Sequence, residues 1–309
     1  MAQATPAVPA GFSLRGSPRR QRRERVVRLL FMGAALATIV ISVFIVWTVL
    51  VQALDFLSQI ELSQLSGIGW FPRRGIFDIS TLLLGTLIVT VIAMVIATPV
   101  GLASAIYISE YATPKVRRTV KPILEILAGI PSVVLGFFAL TVITPDFIQR
   151  IWSDASVFNL AAAGIAVGIL SVPLVASVSE DAMRAVPINL REASYGLGAK
   201  KITTSLRIVF PAAVSGIVAA LILATSRAVG ETMVVAVAAG APQARTVNPL
   251  DPGGTMTSAM VQLASGSDQV TGNSAAFQSL FFLGLLLFVI TLVLNVIGDA
   301  FVRRARQRY

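Results

Sequence analysis

Long apolar stretches without charged residues dominate the pattern of this chain. A helix that crosses a lipid bilayer needs about 20 mostly apolar residues. Six such stretches occur, at residues 29–54, 79–109, 126–145, 155–179, from 208 onward, and 276–297. The fifth stretch meets Arg227 and Glu231 and then stays apolar to about residue 240. The pattern predicts an all-α integral membrane protein with six transmembrane helices.

Composition supports this class and excludes others. Charged residues make up 13% of the 309 residues and apolar residues 55%, whereas a soluble domain carries about 25% charged residues. The net charge of +10 does not indicate a nucleic-acid-binding protein, because such a protein needs a basic face on a polar surface. The chain has no Cys and no His, which excludes disulfides, thiol catalysis, histidine bases and the common zinc sites.

Lys and Arg are concentrated in alternate loops, and this bias sets the orientation of a membrane protein. Seven lie in residues 1–28, four and five in the 2–3 and 4–5 loops, and four in the C-terminal tail, against four in the remaining loops. Both termini are therefore predicted in the cytoplasm. We expect residues 1–28 to form a disordered basic tail near anionic lipid. The first apolar run of 26 residues is too long for a signal peptide and predicts an uncleaved span.

The cytoplasmic loop between the fourth and fifth stretches predicts a short helix outside the bilayer. Pro187 disfavours helical geometry at the residue before it, and Asn189 with Glu192 has the spacing of a capping box. Gly198 is a natural helix terminator. The apolar face of this helix consists of Leu190, Ala193 and Leu197. Spacing alone leaves open whether this face packs on its own bundle or in a groove of a partner.

The same loop resembles the EAA motif of ABC importer permeases, which reads E-A-A, three residues, G, nine residues, I, one residue, L-P. The matching residues are Glu192, Ala193, Ser194, Gly198, Ile208, Phe210 and Pro211, with Ser194 and Phe210 as mild departures. The resemblance implies a type I ABC importer permease fold over residues 29–309, with its core at about 79–305. It also implies a coupling helix that docks into a separate ATP-hydrolysing subunit. The coupling residues would be Glu192, Ala193, Gly198, Ile208 and Pro211.

Arg227 and Glu231 are ionisable residues within a predicted span. Such a residue costs about 2.5–3.5 kcal/mol to insert and often marks a transport pathway. Because the two are four residues apart, they can share one helix face and form an ion pair. The residues alone leave two interpretations open, a pair that fixes helix packing and an arginine that handles an anion. Glu125 is placed near the cytoplasmic end of the third span, in an interfacial role.

Residues 226–233 read S-R-A-V-G-E-T-M and resemble the R-A-x-G-E-T-M stretch of the membrane subunits of bacterial phosphate ABC importers. The ending is more similar to the PstC type than to the PstA type, and segments 69–77, 106–112 and 124–134 are similar as well. The resemblance, which covers roughly residues 65–305, implies that Arg227 and Glu231 act in transport. Thr232 and Ser132 are further candidates for substrate translocation. The hydroxyl of Ser132 and a backbone N–H freed by Pro131 could meet a passing anion.

The expected partners follow from the resemblance and from what the sequence lacks. No phosphate-binding G-x-x-x-x-G-K-[ST] loop is present, since the nearest fragment, at 196–201, has the wrong spacing. ATP is therefore expected on partner subunits, and the chain is expected to need no cofactor or metal and to be no enzyme. The implied assembly contains a second permease subunit (a PstA-like chain), two ATP-binding subunits and an external phosphate-binding protein. It lies in the lipid of the bacterial plasma (inner) membrane.

The outer loop at 241–275 is rich in Gly, Pro, Ser, Thr and Asn. Its length suggests a function, and residues 255–263 predict a short helix with Thr255 as the N-cap. If the family resemblance holds, this loop and the loop at 55–78 receive the binding protein. A solvated loop without a partner is the alternative.

Three other functions stay open at this stage. A permease for another oxyanion, such as molybdate or sulfate, would share every feature above. A secondary transporter or channel would work without ATP and would usually show an internal repeat, which the sequence does not reveal. A membrane enzyme fits least, because no cluster of His, Cys or paired carboxylates offers acid–base chemistry.

Overall fold

The computed structural model describes residues 18–67, 69–241, 245–266 and 275–305, with side chains from residue 22 to residue 304. The chain divides into two compact units, Met1–Val49 and Leu50–Tyr309. The described part of the first unit is helical and belongs to helix α1. The prediction of disorder for residues 1–28 is therefore wrong for 18–28, where Arg, Gln and Glu are good helix formers that extend the apolar helix. Residues 1–17 lie outside the described residues.

Helices account for most of the described chain. In order, they are α1 (Pro18–Gln59), α2 (Ile79–Ile106), α3 (Pro114–Ala128), α4 (Ser132–Ile151), α5 (Leu160–Arg184), α6 (Ile188–Gly196), α7 (Lys201–Ala212), α8 (Val214–Val229), α9 (Met233–Ala238), α10 (Met256–Ala264) and α11 (Ala275–Ala305). A two-stranded antiparallel sheet, β1 (Trp70–Phe71) with β2 (Ile76–Phe77), precedes α2. A π-helical turn, Tyr107–Tyr111, extends α2 at its C-terminal end.

Five described helices are long and apolar enough to cross a membrane, and the bent pair α7–α8 makes a sixth if it counts as one span. The all-α fold with up to six spans agrees with the sequence. The fifth span is not straight, because α7 and α8 meet at an angle of 71°.

The third span begins later than the sequence suggests. It runs from Ser132 to Ile151 instead of 126–145, and α3 before it is a separate amphipathic helix. The chain leaves helical geometry at Pro131, which caps the next helix in an extended conformation, and proline disfavours helix at the residue before it. Glu125 accordingly lies on α3 and not within the third span.

Close packing of α2 against α5 forms the centre of the second unit. Gly164 and Gly168 sit one helical turn apart on α5, in the small-xxx-small spacing that lets two backbones approach. A Cβ atom on Gly164 would lie 2.7 Å from Ile92 Cβ, and one on Gly168 would lie 3.0 Å from the carbonyl oxygen of Ala93. Because lipid supplies no hydrophobic drive between helices, van der Waals contact of this kind holds the pair together.

Asp78 fixes the start of α2. It is buried, and its carboxylate accepts hydrogen bonds from the Ser80 amide (3.0 Å), the Ser80 hydroxyl (2.7 Å) and the Thr81 hydroxyl (2.7 Å). Burial on its own would raise the pKa of Asp78, but the hydrogen bonds from Thr81 and Ser80 outweigh it and bring the pKa below its ordinary value. The strand residue Phe77 beside it packs edge-on against Phe56, with ring centroids 5.0 Å apart.

Replacing Asp78 should destabilise the fold in a pH-dependent way. Asp78→Ala removes an N-cap, a change that costs about 0.5–2 kcal/mol, and should lower the midpoint of thermal unfolding in detergent. Because the folded pKa is the lower one, the stabilisation is complete above the unfolded pKa of about 3.9 and is lost as the pH falls through the folded pKa. Unfolding of the wild type and the variant between pH 7 and pH 3 measures this. A difference in stability that stays constant over that range would contradict it.

Candidate functional site

The helix that carries Arg227 ends before it reaches Glu231. Helix α8 stops at Val229, Gly230 is its C-cap, and α9 begins at Met233. Among the described residues, no ion pair joins Arg227 to Glu231. The predicted pairing of the two on one helix face is therefore wrong, because it requires a continuous helix through Gly230, and glycine is a common terminator.

Glu231 stabilises the break between α8 and α9, at residues 230–232. Its Oε1 atom accepts hydrogen bonds from the backbone amides of Met233 (3.2 Å) and Val234 (3.4 Å), so the carboxylate caps the start of α9. A carboxylate at a helix N-terminus is also favoured by the helix dipole. The hydroxyl of Thr232 donates to the carbonyl of Gly230 at 3.1 Å. These two residues of the predicted translocation set therefore satisfy backbone groups that the break exposes.

A third hydroxyl reaches the break from a distant segment. The side chain of Thr257 on α10 donates to the carbonyl oxygen of Glu231 at 2.7 Å. The sequence offered no sign of this contact, because Thr257 is 26 residues further along the chain in what looked like an outer loop. Thr257 is buried, so the hydrogen bond is shielded from solvent and is costly to lose.

Helix α10 is inserted into the bundle and is not an outer surface. Thr255 caps it by accepting from the Ser258 amide at 3.1 Å, as the sequence predicted. Residues 253–259 are all buried, and the Met256 amide donates to the hydroxyl of Thr86 on α2 at 3.1 Å. The carbonyl of Gly254 lies against Gly85 where a side chain would have to sit. The prediction that this part of the loop at 241–275 receives an external protein is corrected, since its own chain covers it.

Arg227 lies near the C-terminal end of α8, where the helix dipole favours a cation. Its side chain is exposed, and no described residue forms a hydrogen bond or an ion pair with it. The neighbouring Ser226 hydroxyl donates to Asn295 on α11 at 3.0 Å, which ties α8 to the last helix. The guanidinium of Arg227 is thus free to bind a group from outside the described chain.

Ser132 is not hydrogen-bonded to the residues of the break, within the part of the chain that the structure describes. It is the first residue of α4, half-buried, directly after Pro131. One turn further along, Gly136 packs against α9, where a Cβ atom would lie 2.9 Å from Val237 Cβ. The structure thus joins α4 to α9, but within the described ranges no hydrogen bond links Ser132 to Arg227 or Glu231.

The short cytoplasmic helix of the EAA-like loop is α6. It begins at Ile188 with Pro187 as its N-cap, and no side chain caps it. The predicted capping box of Asn189 and Glu192 is therefore absent, because Asn189 already lies inside the helix. Gly198 ends the helix with a φ angle of 78°, and the Ala199 amide donates to the Ser194 carbonyl at 3.1 Å as in a Schellman motif.

The apolar face of α6 is divided between its own bundle and solvent. Leu190 is half-buried and packs against the core cluster around Met183 and Val209. Leu197 is 90% exposed, and Glu192 and Ala193 are exposed beside it. Of the other two motif positions, Ile208 is half-buried and Pro211 is exposed. Packing on its own bundle is thus realised at Leu190, while the rest of the face is exposed and its docking in a partner stays a prediction.

Arg191 fastens α6 to the bundle, and sequence reasoning missed it. Its guanidinium donates to the carbonyls of Val186 (2.7 Å) and Met183 (2.8 Å) and to the carboxylate of Glu110 (3.0 Å). On the same helix the hydroxyl of Ser194 lies 2.8 Å from that of Thr204 on α7. Ser194 is one of the two motif departures noted above, and it supplies a buried hydrogen bond between α6 and α7.

A second charged cluster, also missed, joins α3 to α5. Glu180 is 1% exposed, with Arg117 Nη2 at 2.7 Å and Lys121 Nζ at 3.0 Å from its carboxylate oxygens. The hydrogen bond that Lys121 donates to Asp181, together with Glu180, raises the pKa of Lys121 above its ordinary value despite the opposing effect of burial. The amphipathic helix α3 is thus held to α5 by charges on its polar face.

Comparison with known proteins places this architecture among the membrane components of importers. The family model "Binding-protein-dependent transport system inner membrane component" matches residues 97–308. The chain belongs to this family and is an ABC importer permease, a multi-pass inner-membrane protein.

Relatives refine the position within the family. The chain is 34% identical over 279 residues to the probable ABC transporter permease protein YqgH of Bacillus subtilis, covering 88% of each chain. It is 33% identical to the phosphate transport system permease protein PstC 1 of Mycobacterium bovis, over 76% of this chain and 75% of that one. It is 32% identical to PstA 1 of Mycobacterium tuberculosis, over 72% and 71%. The expected relationship to phosphate permease subunits is confirmed, and both types are among the relatives.

Solved structures support the fold. A bacterial ABC transporter involved in the import of the acidic polysaccharide alginate superposes with a TM-score of 0.63 at 14% identity, over 93% of this chain and all of that one. The MetNI methionine ABC transporter, in an inward-facing conformation, gives a TM-score of 0.54 at 21% identity, over 74% and 94%. The type I ABC importer permease fold is thus confirmed.

Variants of Glu231 should separate its capping role from its charge. Glu231→Gln keeps an oxygen that can accept from the amides of Met233 and Val234, so we expect its unfolding temperature in detergent to stay near that of the wild type. Glu231→Ala leaves those amides without an acceptor and should lower stability by about 0.5–2 kcal/mol. Equal destabilisation by both variants would show that the carboxylate charge, and not the cap, holds the break.

Proposed function

We propose that this chain is a permease subunit of an ATP-driven importer of inorganic phosphate and forms part of the translocation pathway. Membership of the importer family and similarity to PstC and PstA proteins support this. So does the S-R-A-V-G-E-T-M segment at 226–233, which favours the PstC type.

Arg227 is the observation that carries the proposal. A guanidinium at membrane depth needs a partner or contact with water, because burying an unpaired charge in lipid is costly. No described residue supplies that partner, and Glu231 is engaged with the amides of α9. Arg227 is therefore available for an anion in the pathway between two permease subunits. Its planar fork suits the oxygens of phosphate.

The partners follow from the outward surface of α6. Its exposed residues Glu192, Ala193 and Leu197 form a small surface for a cleft on an ATP-binding subunit, and Gly198 ends it. Ile208 and Pro211 belong to the helix behind it. Two ATP-binding subunits, a second PstA-like permease subunit and an external phosphate-binding protein complete the proposed complex. ATP is bound by the partner subunits, and this chain needs no cofactor of its own.

The basic residues around this surface support the proposed orientation of the chain in the membrane. Helix α3 and the segment from Arg184 to Arg207, which contains α6, together carry nine of the Lys and Arg residues. In the proposed complex they face the ATP-binding subunits, so this side is cytoplasmic. Both termini then lie in the cytoplasm. Transport would proceed by alternating access, in which ATP-driven movement of α6 reorients the spans. Arg227 would give the anion a positive stop, Glu231 and Thr232 would hold the break beside it, and Ser132 would offer a hydroxyl at the start of α4.

Substrate choice is tested by competition in the reconstituted complex. We expect ATP-dependent uptake of radiolabelled phosphate into vesicles, suppressed by excess unlabelled phosphate and little affected by equal sulfate or molybdate. Suppression by sulfate or molybdate instead would assign the chain to another oxyanion. Uptake that proceeds without ATP would indicate a secondary transporter.

Arg227→Ala should abolish phosphate uptake while the complex still assembles. Charge-assisted hydrogen bonds to an anion are worth about 1.5–3 kcal/mol, so we expect a loss of at least about tenfold in uptake rate. Arg227→Lys keeps the charge but lacks the planar fork of a guanidinium. Its uptake rate should therefore lie between those of the wild type and Arg227→Ala. Arg303→Ala, which removes an exposed arginine of α11, serves as the matched control. Wild-type uptake by Arg227→Ala would refute the role.

A further inference from the structure

We propose that the ion pair between Arg191 and Glu110 is the contact that transmits movement of α6 to helix α2, with both as positioning residues. This inference rests on the proposed function, in which α6 is the element that an ATP-binding subunit moves. Helix α6 would contact an ATP-binding subunit on its outward surface and helix α2 on its inner side, through this ion pair.

Arg191 is held by groups from two different elements. It donates through Nη1 to the Val186 carbonyl at 2.7 Å and through Nη2 to the Met183 carbonyl at 2.8 Å. Met183 lies in the last turn of α5, and Val186 lies just after it. The same Nη2 donates to Glu110 Oε1 at 3.0 Å, and the Ser109 hydroxyl donates to that oxygen at 2.9 Å. One planar side chain therefore joins the C-terminal end of α5 to the C-terminal end of α2.

The two side chains are mostly shielded from solvent, which distinguishes the pair from ordinary surface ion pairs. The side chains of Arg191 and Glu110 are 13% and 4% exposed. By contrast, Arg303 and Asp299 on α11 meet at the same 3.0 Å with 71% and 60% exposure. An exposed pair within one helix contributes about 0–1 kcal/mol, whereas removing one partner of a buried pair leaves an uncompensated charge. Movement of α6 that separated Arg191 from Glu110 would therefore be strongly opposed.

Two further contacts lie at the corner where α6 meets the ends of α2, α5 and α7. Lys201 Nζ, at the start of α7, lies 5.0 Å from the centre of the Tyr111 ring, the residue next to Glu110. The Ser194 and Thr204 hydroxyls bind α6 to α7 at 2.8 Å. The ends of α2, α5 and α7 and the helix α6 thus form one connected body. Among the described residues, Arg191–Glu110 is the ion pair by which α6 joins α2.

The test measures how many phosphate ions are transported for each ATP hydrolysed by the complete complex in proteoliposomes. Glu110→Gln removes the charge but keeps the size of the side chain and leaves the carbonyl contacts of Arg191 intact. Arg191→Lys keeps the charge but cannot reach three acceptors at once. We expect both variants to retain the ATP-binding subunits and ATP hydrolysis, while the phosphate-to-ATP ratio falls about fivefold. The double variant should fall no further than either single one, because both remove the same contact.

Asp299→Asn, which breaks the exposed pair of equal distance, is the control and should leave the ratio unchanged. An unchanged ratio in Glu110→Gln and Arg191→Lys would overturn the proposal. So would loss of the ATP-binding subunits from Glu110→Gln, since the pair would then serve assembly alone, or an equal fall of transport and ATP hydrolysis. A wild-type complex without ATP-dependent phosphate transport would instead refute the proposed function.

Discussion

A helix that is broken inside a membrane leaves backbone N–H and C=O groups that lipid cannot satisfy. The break between α8 and α9 is the constraint on which the candidate site depends. Glu231 serves the two amides at the start of α9, Thr232 serves the carbonyl of Gly230, and Thr257 serves the carbonyl of Glu231. Glu231 and Thr232 lie in the break itself, whereas Thr257 lies on α10, so the insertion of α10 is a condition for this third contact. With Glu231 committed to this task, Arg227 is left without a partner among the residues that the structure describes.

The position of α10 depends in turn on small residues. Gly85 on α2 and Gly254 before α10 meet without any side chain between them, and the Thr86 hydroxyl accepts from the first amide of the inserted helix. The same helix α2 meets α5 at Gly164 and Gly168. Since interhelical contact in lipid relies on close van der Waals packing, these glycines set how near the backbones come. The positions of these glycines therefore decide whether the Thr257 hydroxyl on α10 can reach the carbonyl of Glu231 at hydrogen-bond distance.

Hydropathy was sufficient to find the spans, because a run of about 20 apolar residues has few other physical uses. It could not separate α3 from the third span, since the apolar face of an amphipathic helix and the start of a span have similar composition until Pro131. The helix at 255–263 was predicted, but its burial in the bundle was not, because Thr and Ser look solvated until their hydroxyls find backbone partners. The EAA-like motif identified α6 and its exposed surface. It gave no sign of Glu110, because that residue is 81 positions away from Arg191 and only the fold brings them together.

The corner around α6 and the break at Gly230 lie at opposite ends of two continuous helices. Helix α8 has 16 residues and so extends about 24 Å, from the 71° bend after α7 to Gly230. Helix α2 covers a similar distance, about 30 Å at 1.5 Å per residue, from its end beside Glu110 back to Thr86. Thr86 holds α10, and α10 holds the carbonyl of Glu231. Under the proposed function, a displacement of α6 would therefore reach the break along two helices, α8 and α2. The residues that order the break, and the arginine beside it, would then respond to the same movement without any contact with α6.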